Sequence, residues 1–152
     1  MSGPTAIPAV EDAVLAAVRA RASAPGSALA GVAIDPSEPL ELQTEHVWIA
    51  LADVASSFEP ESTGYDAVGS WVETVTVPVR AHVQAEGDDW TALRDRAKAL
   101  VAEVILAVRA DPTLGAAVLD AQVVRLSRRG AAMERAIALL TTVEVSARVE
   151  VS

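Results

Sequence analysis

The most regular hydrophobic pattern in the chain lies within residues 71–114. Every second residue from Val75 to Val83 is apolar, and most of these residues are β-branched. This alternation predicts a strand with one buried face. From Trp90 to Val108, apolar residues recur at spacings of three and four, which predicts a long amphipathic helix.

Residues at both ends of this predicted helix are typical of helix termini. Asp88 and Asp89 precede it, where a carboxylate can accept hydrogen bonds from free N–H groups and suits the helix dipole. Pro112 follows the last turn and helps to end the helix. The strand and the helix each have one apolar face, so we expect them to pack on each other, with Trp90 as a core anchor.

The first seventy residues predict one helix, two strands and a long loop. The helix starts at Pro8 and ends near Ala24, before a Pro-Gly-Ser sequence that cannot continue it. Residues 30–34 and 44–51 predict strands. Residues 53–70 are rich in Ser, Gly, Pro and Glu, which is typical of a loop. Its Phe58 and Tyr65 are candidate anchors for a partner subunit, or they hold the loop to its own domain.

The last third of the chain predicts an antiparallel hairpin. Residues 118–127 form its first predicted strand, and Arg128-Arg129-Gly130 its polar tip. Residues 137–151 form the second strand, and apolar and polar positions alternate strictly from Thr142 to Val151.

Taken together, residues 1–152 predict a single α+β domain. We expect a mostly antiparallel sheet with two helices packed on one face. Pro78 cannot donate a hydrogen bond, so it should lie at an edge or bulge. The other face of the sheet is expected to show the following polar residues: Arg80, His82, Gln84, Glu144, Ser146, Arg148 and Glu150.

Composition narrows the classes of function. About half of the 152 residues are apolar, which is enough for a core, yet no run is long enough to span a bilayer. The N-terminus lacks a signal-peptide pattern, so we expect synthesis in a cytoplasm and no membrane partner. A net charge of −9 is evidence against ordinary DNA or RNA binding, which needs a basic surface. The absence of cysteine excludes disulfides and thiolate chemistry.

No catalytic, cofactor or metal site is predicted. His46 and His82 are the only histidines, and neither has a metal-ligand residue at i+2 or i+4. We expect both to be exposed or partly exposed structural residues. The serines have no nearby histidine to activate them, and no Gly-rich phosphate loop is present. Arg128 and Arg129 are interpreted as a solvated turn or as half of a salt bridge between subunits.

The predicted helix and its exit carry a family resemblance. Residues 90–104, followed by Val108 to Gly115, resemble the tail terminator (tail completion) proteins of long-tailed bacteriophages. In that family a strand precedes such a helix, a turn similar to Asp111–Gly115 follows it, and two alternating strands end the chain. The resemblance covers about residues 71–151. One departure is Ala116, which stands where a second glycine is usual.

The resemblance implies a non-enzymatic structural protein of the virion, assembled in the bacterial cytoplasm. It implies a tail-tube-like fold and a homohexameric ring that caps the head-proximal end of the tail tube. Such a ring ends tube polymerisation, offers a docking surface to head-closure and neck proteins, and lets DNA pass through its lumen without specific binding. From their places on predicted polar faces or tips, four arginines are expected to pair with carboxylates of neighbouring subunits, such as Glu144 or Glu150. These arginines are Arg80, Arg128, Arg129 and Arg148.

Two other classes stay open. One is a different neck or tail component, such as a head-closure protein or a tube subunit, which would polymerise into long tubes. The other is a small dimeric α+β ligand-binding domain or enzyme, which would show a deep pocket with converging polar groups.

Overall fold

A computed structural model describes residues 6–57 and 71–151 of the chain. The elements in chain order are α1 (Ile7–Ala22), β1 (Ala33–Asp35), β2 (Glu45–Ile49), β3 (Asp53–Ser57), β4 (Trp71–Glu86), α2 (Trp90–Ala110), β5 (Asp120–Ala132) and β6 (Ala136–Val151). No helix among the described residues has the length and apolar character needed to cross a bilayer.

The strands form one sheet in the order β1-β2-β4-β6-β5, with β3 also pairing β4. The β1–β2 pairing is parallel, and every other pairing is antiparallel. The two long strands β4 and β6 pair from Trp71 opposite Val151 to Glu86 opposite Ala136. The predicted α+β fold with a mostly antiparallel sheet is confirmed.

The core lies between one face of the sheet, called here the helix face, and the two helices. The helices contribute Val10, Val14 and Val18 from α1 and Leu100 and Val104 from α2, all fully buried. The odd-numbered valines of β4 and β6 meet them from the sheet. An ion pair between Arg21 and Glu103 also joins the helices. Burial of each such apolar side chain contributes about 1.5–3 kcal/mol, so this layer holds the helices on the sheet.

Helix α2 begins and packs nearly as its sequence predicts. The Asp89 carboxylate accepts a hydrogen bond from the Ala92 amide at 3.0 Å, so Asp89 is the N-cap. The buried side chains are Leu93, Ala97, Leu100, Val101, Val104, Ala107 and Val108. Trp90 is only partly buried, and it lies against Gly130 at the hairpin rather than deep in the core.

The turn after α2 is closed by its own side chains. Asp111 accepts hydrogen bonds from the Gly115 amide at 2.6 Å and the Thr113 hydroxyl at 2.9 Å. These bonds lower the pKa of Asp111. Ala116 adopts a positive φ of 67°, a conformation in which glycine has no steric penalty. An alanine at this position therefore leaves the turn formed, at a conformational cost.

One part of the predicted loop over residues 53–70 is wrong. Asp53–Ser57 form β3 and pair with residues 72–76 of β4. Strand β2 ends at Ile49, opposite Val79, so the first half of β4 is left with a free edge that β3 takes. Tertiary pairing thus overrides the low strand propensity of this segment. Residues 58–70 lie outside the described part of the chain.

The predicted hairpin tip is also misplaced. Arg128, Arg129 and Gly130 lie within β5, opposite Thr141, Leu140 and Leu139. The hairpin turns instead at residues 133–135, where the Met133 amide donates to the Ala136 carbonyl at 2.8 Å. An irregularity between Val123 and Arg125 shifts the β5 register. The long, regular strand β6 continues alongside this segment. Strand β5 therefore stays extended through polar residues whose own sequence is typical of a turn.

Pro78 lies in a strand paired on both sides, and not at the sheet edge or bulge that was expected. Its carbonyl accepts a hydrogen bond from the Ala50 amide at 2.8 Å, just past the end of β2. The next pairing on that side begins at Thr76, opposite Asp53. Pro78 has no N–H to return this hydrogen bond to Ala50, and the pairing of β2 with β4 ends one residue earlier, at Ile49 opposite Val79.

Candidate subunit interfaces

The sheet face opposite the helices, called here the open face, is less exposed than its alternation predicts. Arg148 and Glu150 are exposed, while Arg80, Gln84, Glu144 and Ser146 are half-buried and His82 is buried. Polar side chains do occupy this face, as predicted, but some of them are removed from water.

The expectation that both histidines are exposed or partly exposed is wrong. His46 and His82 are only 2% and 6% exposed, and they oppose each other across β2 and β4. Gln43 belongs to the segment before β2 and bridges both rings through its backbone. Its N–H donates to His46 Nδ1 at 3.0 Å, and its carbonyl accepts from His82 Nδ1 at 3.2 Å.

These histidines are held in structural roles. His46 Nε2 bonds Asp35, so both of its ring nitrogens have partners. Burial lowers the pKa of His82, the bond to the Gln43 carbonyl raises it, and the neighbouring His46 lowers it. Within the described ranges, no cluster of three or more His, Cys, Asp or Glu is placed to hold a metal ion.

A second feature of the open face was missed by the sequence analysis. Trp48 and Arg80 are direct cross-strand partners on β2 and β4, and Trp48 is 3% exposed. The Trp48 indole Nε1 and the Arg80 Nε are both buried and have no hydrogen-bond partner among the residues that the structure describes. A buried unpaired donor costs about 1–3 kcal/mol. Acceptors supplied from outside the subunit would offset this cost, which makes the pair a candidate contact. Only the strand register brings these two residues together.

Arg148, one of the predicted interface residues, has a partner inside its own subunit. It opposes Asp120 across β6 and β5, and its Nε donates to the carboxylate oxygens at 2.9 and 3.2 Å. The guanidinium lowers the pKa of Asp120. No local sequence pattern marks Asp120 as this partner, because the pairing depends on the register of two strands.

The other predicted interface residues are distributed over different surfaces. Arg128 and Arg129 are exposed on opposite sides of β5. Glu144 opposes Pro78 of β4 and Arg125 of β5, and Glu150 opposes Val72 near the other end of the sheet. Phe58 and Tyr65 lie outside the described residues. Intersubunit pairing by any of these residues stays a prediction.

Strand β5 presents an edge with exposed apolar side chains. It ends the sheet order, and Val124, Leu126 and Met133 of this hairpin are about half exposed. Long edge strands with apolar side chains are templates for association. Helix α2 covers only part of the helix face of β5, which leaves a groove of about 390 Å³ between them. We call it the α2–β5 groove; its lining includes Lys98, Val101, Leu126, Arg128 and Thr141.

Comparison with known proteins gives a structural likeness without a sequence match. No family model matches the chain, and no curated protein matches it. The structure is similar to a chain in the solved "Virion of native gene transfer agent (GTA) particle". The TM-score is 0.54 at 18% sequence identity, over 93% of this chain and 98% of that chain. The two chains therefore share a fold over almost their whole lengths.

Proposed function

We propose that this chain is a non-enzymatic structural protein of a phage-like virion, and specifically a tail terminator. In this role it forms a homo-oligomeric ring, which the resemblance implies is hexameric. The ring caps the head-proximal end of the tail tube, ends tube polymerisation and gives the head and neck proteins a docking surface. DNA passes through the lumen without specific binding.

The observation that carries the proposal is the fold shared with a chain of the gene transfer agent virion, at nearly full length in both chains. Because both chains are covered almost completely, the similarity extends over the whole domain and is not limited to one common motif. The sequence resemblance over residues 71–151 supports the specific role of tail terminator. Fold alone does not specify function, so the position at the tube end is tested directly.

The described surface supports self-association. Within the described part of the chain, β5 leaves one long edge of the sheet without a strand partner, and apolar side chains lie along it. The buried donors of Trp48 and Arg80 add a second surface that an assembly would satisfy. Two different surfaces on one subunit suit a head-to-tail contact, which generates a ring when the rotation between subunits closes.

The test combines solution mass with electron microscopy. Purified protein is measured by light scattering over a range of concentrations, then mixed with tail tubes and imaged. We expect a ring-sized oligomer that binds one end of each tube and stops its extension. A strict monomer, alone and with tubes, would contradict the proposal. Long tubes made by this chain alone would assign it to the tube subunits instead.

A further inference from the structure

The α2–β5 groove is basic on a strongly acidic chain. Its rim carries the exposed cations Arg94, Lys98 and Arg128, and Asp95 is the one carboxylate among its described lining residues. The chain as a whole has a net charge of −9. Because its local charge is positive, the groove attracts an acidic occupant and repels a basic one.

The floor of the groove offers an apolar surface and a buried hydroxyl. Leu126 is about half exposed there, beside Val101 of α2. Thr141 is only 6% exposed, and its hydroxyl has no hydrogen-bond partner within residues 6–57 and 71–151. A buried polar group without a partner lowers stability, so the floor fits an occupant that brings an apolar side chain and a hydrogen-bonding group.

The connection between β1 and β2, residues 36–42, has the complementary character. It contains Glu38 and Glu41 and no lysine or arginine. Both glutamates are exposed, and neither belongs to an ion pair in the described part of the chain. Leu40 is fully exposed and Leu42 is about half exposed. We call residues 36–42 the β1–β2 connection.

We infer that the α2–β5 groove receives the β1–β2 connection of a second copy of this chain. Leu40 of one copy covers the exposed face of Leu126 on the other. The glutamates of the connection meet the rim cations, including Lys98. A backbone carbonyl of the connection accepts the hydrogen bond that the Thr141 hydroxyl can donate. The inference deepens the proposed ring and rests on it.

The β1–β2 connection is held in place before it docks. Pro36 and Pro39 each fix a backbone φ angle. Gln43 follows the connection, and its backbone is hydrogen-bonded to the rings of His46 and His82. A segment with so little freedom loses less conformational entropy when it is bound.

The connection and the groove lie at opposite edges of the sheet and at nearly the same level along its strands. The strand order places β1 and β2 at one edge and β5 at the other. Glu45, the first residue of β2, pairs with Val83, which opposes Leu139 of β6. Thr141 is two residues from Leu139, or about 7 Å along the strand. A neighbour beside the β5 edge therefore presents its connection close to the level of the groove.

This contact sets the symmetry of the assembly. Leu40 is fully exposed in its own subunit, so the connection does not fill its own groove. Each copy gives its connection to the neighbour on one side and accepts a connection from the neighbour on the other side. Contacts of this heterologous kind generate rings when the rotation closes. A two-fold dimer through β5 alone would leave the groove basic and open.

Disulfide trapping tests the contact, and the chain has no native cysteine to interfere. Tagged Leu40→Cys chains are mixed with untagged Leu126→Cys chains, and the assembled fraction is mildly oxidised. We expect a disulfide-linked pair of one tagged and one untagged chain, identified by mass spectrometry.

Two matched controls should stay unlinked. Leu51→Cys replaces Leu40→Cys in the first, because Leu51 is almost fully exposed but lies past the other end of β2. Leu106→Cys replaces Leu126→Cys in the second, because Leu106 is partly exposed on α2 and outside the groove lining.

Charge exchange tests the same contact by affinity, with sedimentation as the measurement. Lys98→Glu should weaken ring association about tenfold or more, because it places like charges together at the contact. Lys98→Glu combined with Glu41→Lys should recover most of the loss. Arg109→Glu changes an exposed cation in the last turn of α2 and should leave association unchanged. Lys98 and Glu41 are both exposed, so these variants keep the fold, and the unfolding midpoint checks this.

The outcomes separate this inference from the proposed function. Intact rings without the Leu40–Leu126 link, and with association insensitive to Lys98→Glu, would overturn the inference and leave the ring standing. A chain that stays monomeric with and without tail tubes would overturn both. Duplex DNA binding that Lys98→Glu abolishes, with the oligomer intact, would assign the groove to nucleic acid and overturn the inference.

Discussion

His46 and His82 face each other across β2 and β4, and the backbone of one residue, Gln43, hydrogen-bonds to both rings. Nδ1 of His46 accepts a hydrogen bond and so carries no hydrogen, whereas Nδ1 of His82 donates one and so carries a hydrogen. This arrangement fastens the segment before β2 across one end of the open face. It also explains why two histidines in alternating polar positions are buried.

The first prediction concerns acid stability. Burial holds the pKa of His82 below its unfolded value of about 6.5, so the unfolded chain binds this proton more readily. The stabilisation from neutral His82 is present above the unfolded pKa and is lost as pH falls below it. Wild type should therefore lose more free energy of unfolding than His82→Gln between about pH 7.5 and 5.5.

Urea denaturation at several pH values measures this difference. His46 and Asp35 are present in both proteins, so the comparison isolates His82. The glutamine amide can still donate to the Gln43 carbonyl, which limits other losses. Equal pH dependence in the two proteins would contradict a structural role for the neutral ring.

The second prediction concerns Trp90. Its half-buried ring packs against Gly130, where an added Cβ would approach the Trp90 ring at 3.3 Å. Trp90→Ala should cost about 2 kcal/mol, less than the 3–5 kcal/mol of a fully buried ring. Trp90→Phe should keep most of the stability, and Gly130→Val should lose stability by crowding the ring. Chemical denaturation measures all three; an unchanged midpoint for Trp90→Ala would disprove the packing role.

The third prediction concerns the start of α2. Asp89→Ala removes the carboxylate that accepts from the Ala92 amide, and should cost about 1 kcal/mol of folding stability. Asp88→Ala is the matched control, because this neighbouring aspartate is exposed and is not the N-cap. Thermal or urea unfolding compares the two variants. Equal losses of folding stability in the two variants would show that negative charge near the helix start is what stabilises α2, and not the N-cap hydrogen bond.

The fourth prediction separates the internal role of Arg148 from its predicted role between subunits. Arg148→Glu should lower subunit stability by less than about 1 kcal/mol, because both members of the Asp120 pair are half exposed. It should weaken ring assembly more strongly and leave DNA affinity negligible. The swap Asp120→Arg with Arg148→Glu restores the internal pair. If the swap also restores assembly fully, the predicted pairing with a neighbour's Glu144 or Glu150 is wrong.

The fifth prediction concerns the unpaired donor on the open face. Arg80→Met removes a buried Nε that has no hydrogen-bond partner in residues 6–57 and 71–151, so the free energy of unfolding of the subunit should stay equal or rise by up to about 1 kcal/mol. Assembly should weaken, because the acceptor offered by the neighbouring subunit loses its donor. Arg80→Lys keeps the charge and serves as the control. Denaturation and sedimentation measure the two effects, and a destabilised subunit with normal assembly would place the partner of Arg80 elsewhere.

The local hydrophobic pattern was sufficient to predict the elements that bury one face along their length. The alternation in β4 and β6, the apolar stripe of α2 and the Asp89 cap each depend on residues within a few positions of each other. Their apolar faces had to be covered, so two helices on one face of a mostly antiparallel sheet followed from the sequence. The same residues carried the resemblance to tail terminators.

Tertiary structure alone decided the features that depend on register and on neighbouring strands. Asp53–Ser57 became a strand because β2 ends early and leaves half of β4 without a partner. Arg128 to Gly130 became part of β5 because β6 continues alongside them. Arg148 with Asp120, and Trp48 with Arg80, are distant in sequence, and a shift of one residue in pairing would place their side chains on opposite faces. The α2–β5 groove exists because the sheet is wider than its helical cover, and no local pattern encodes that width.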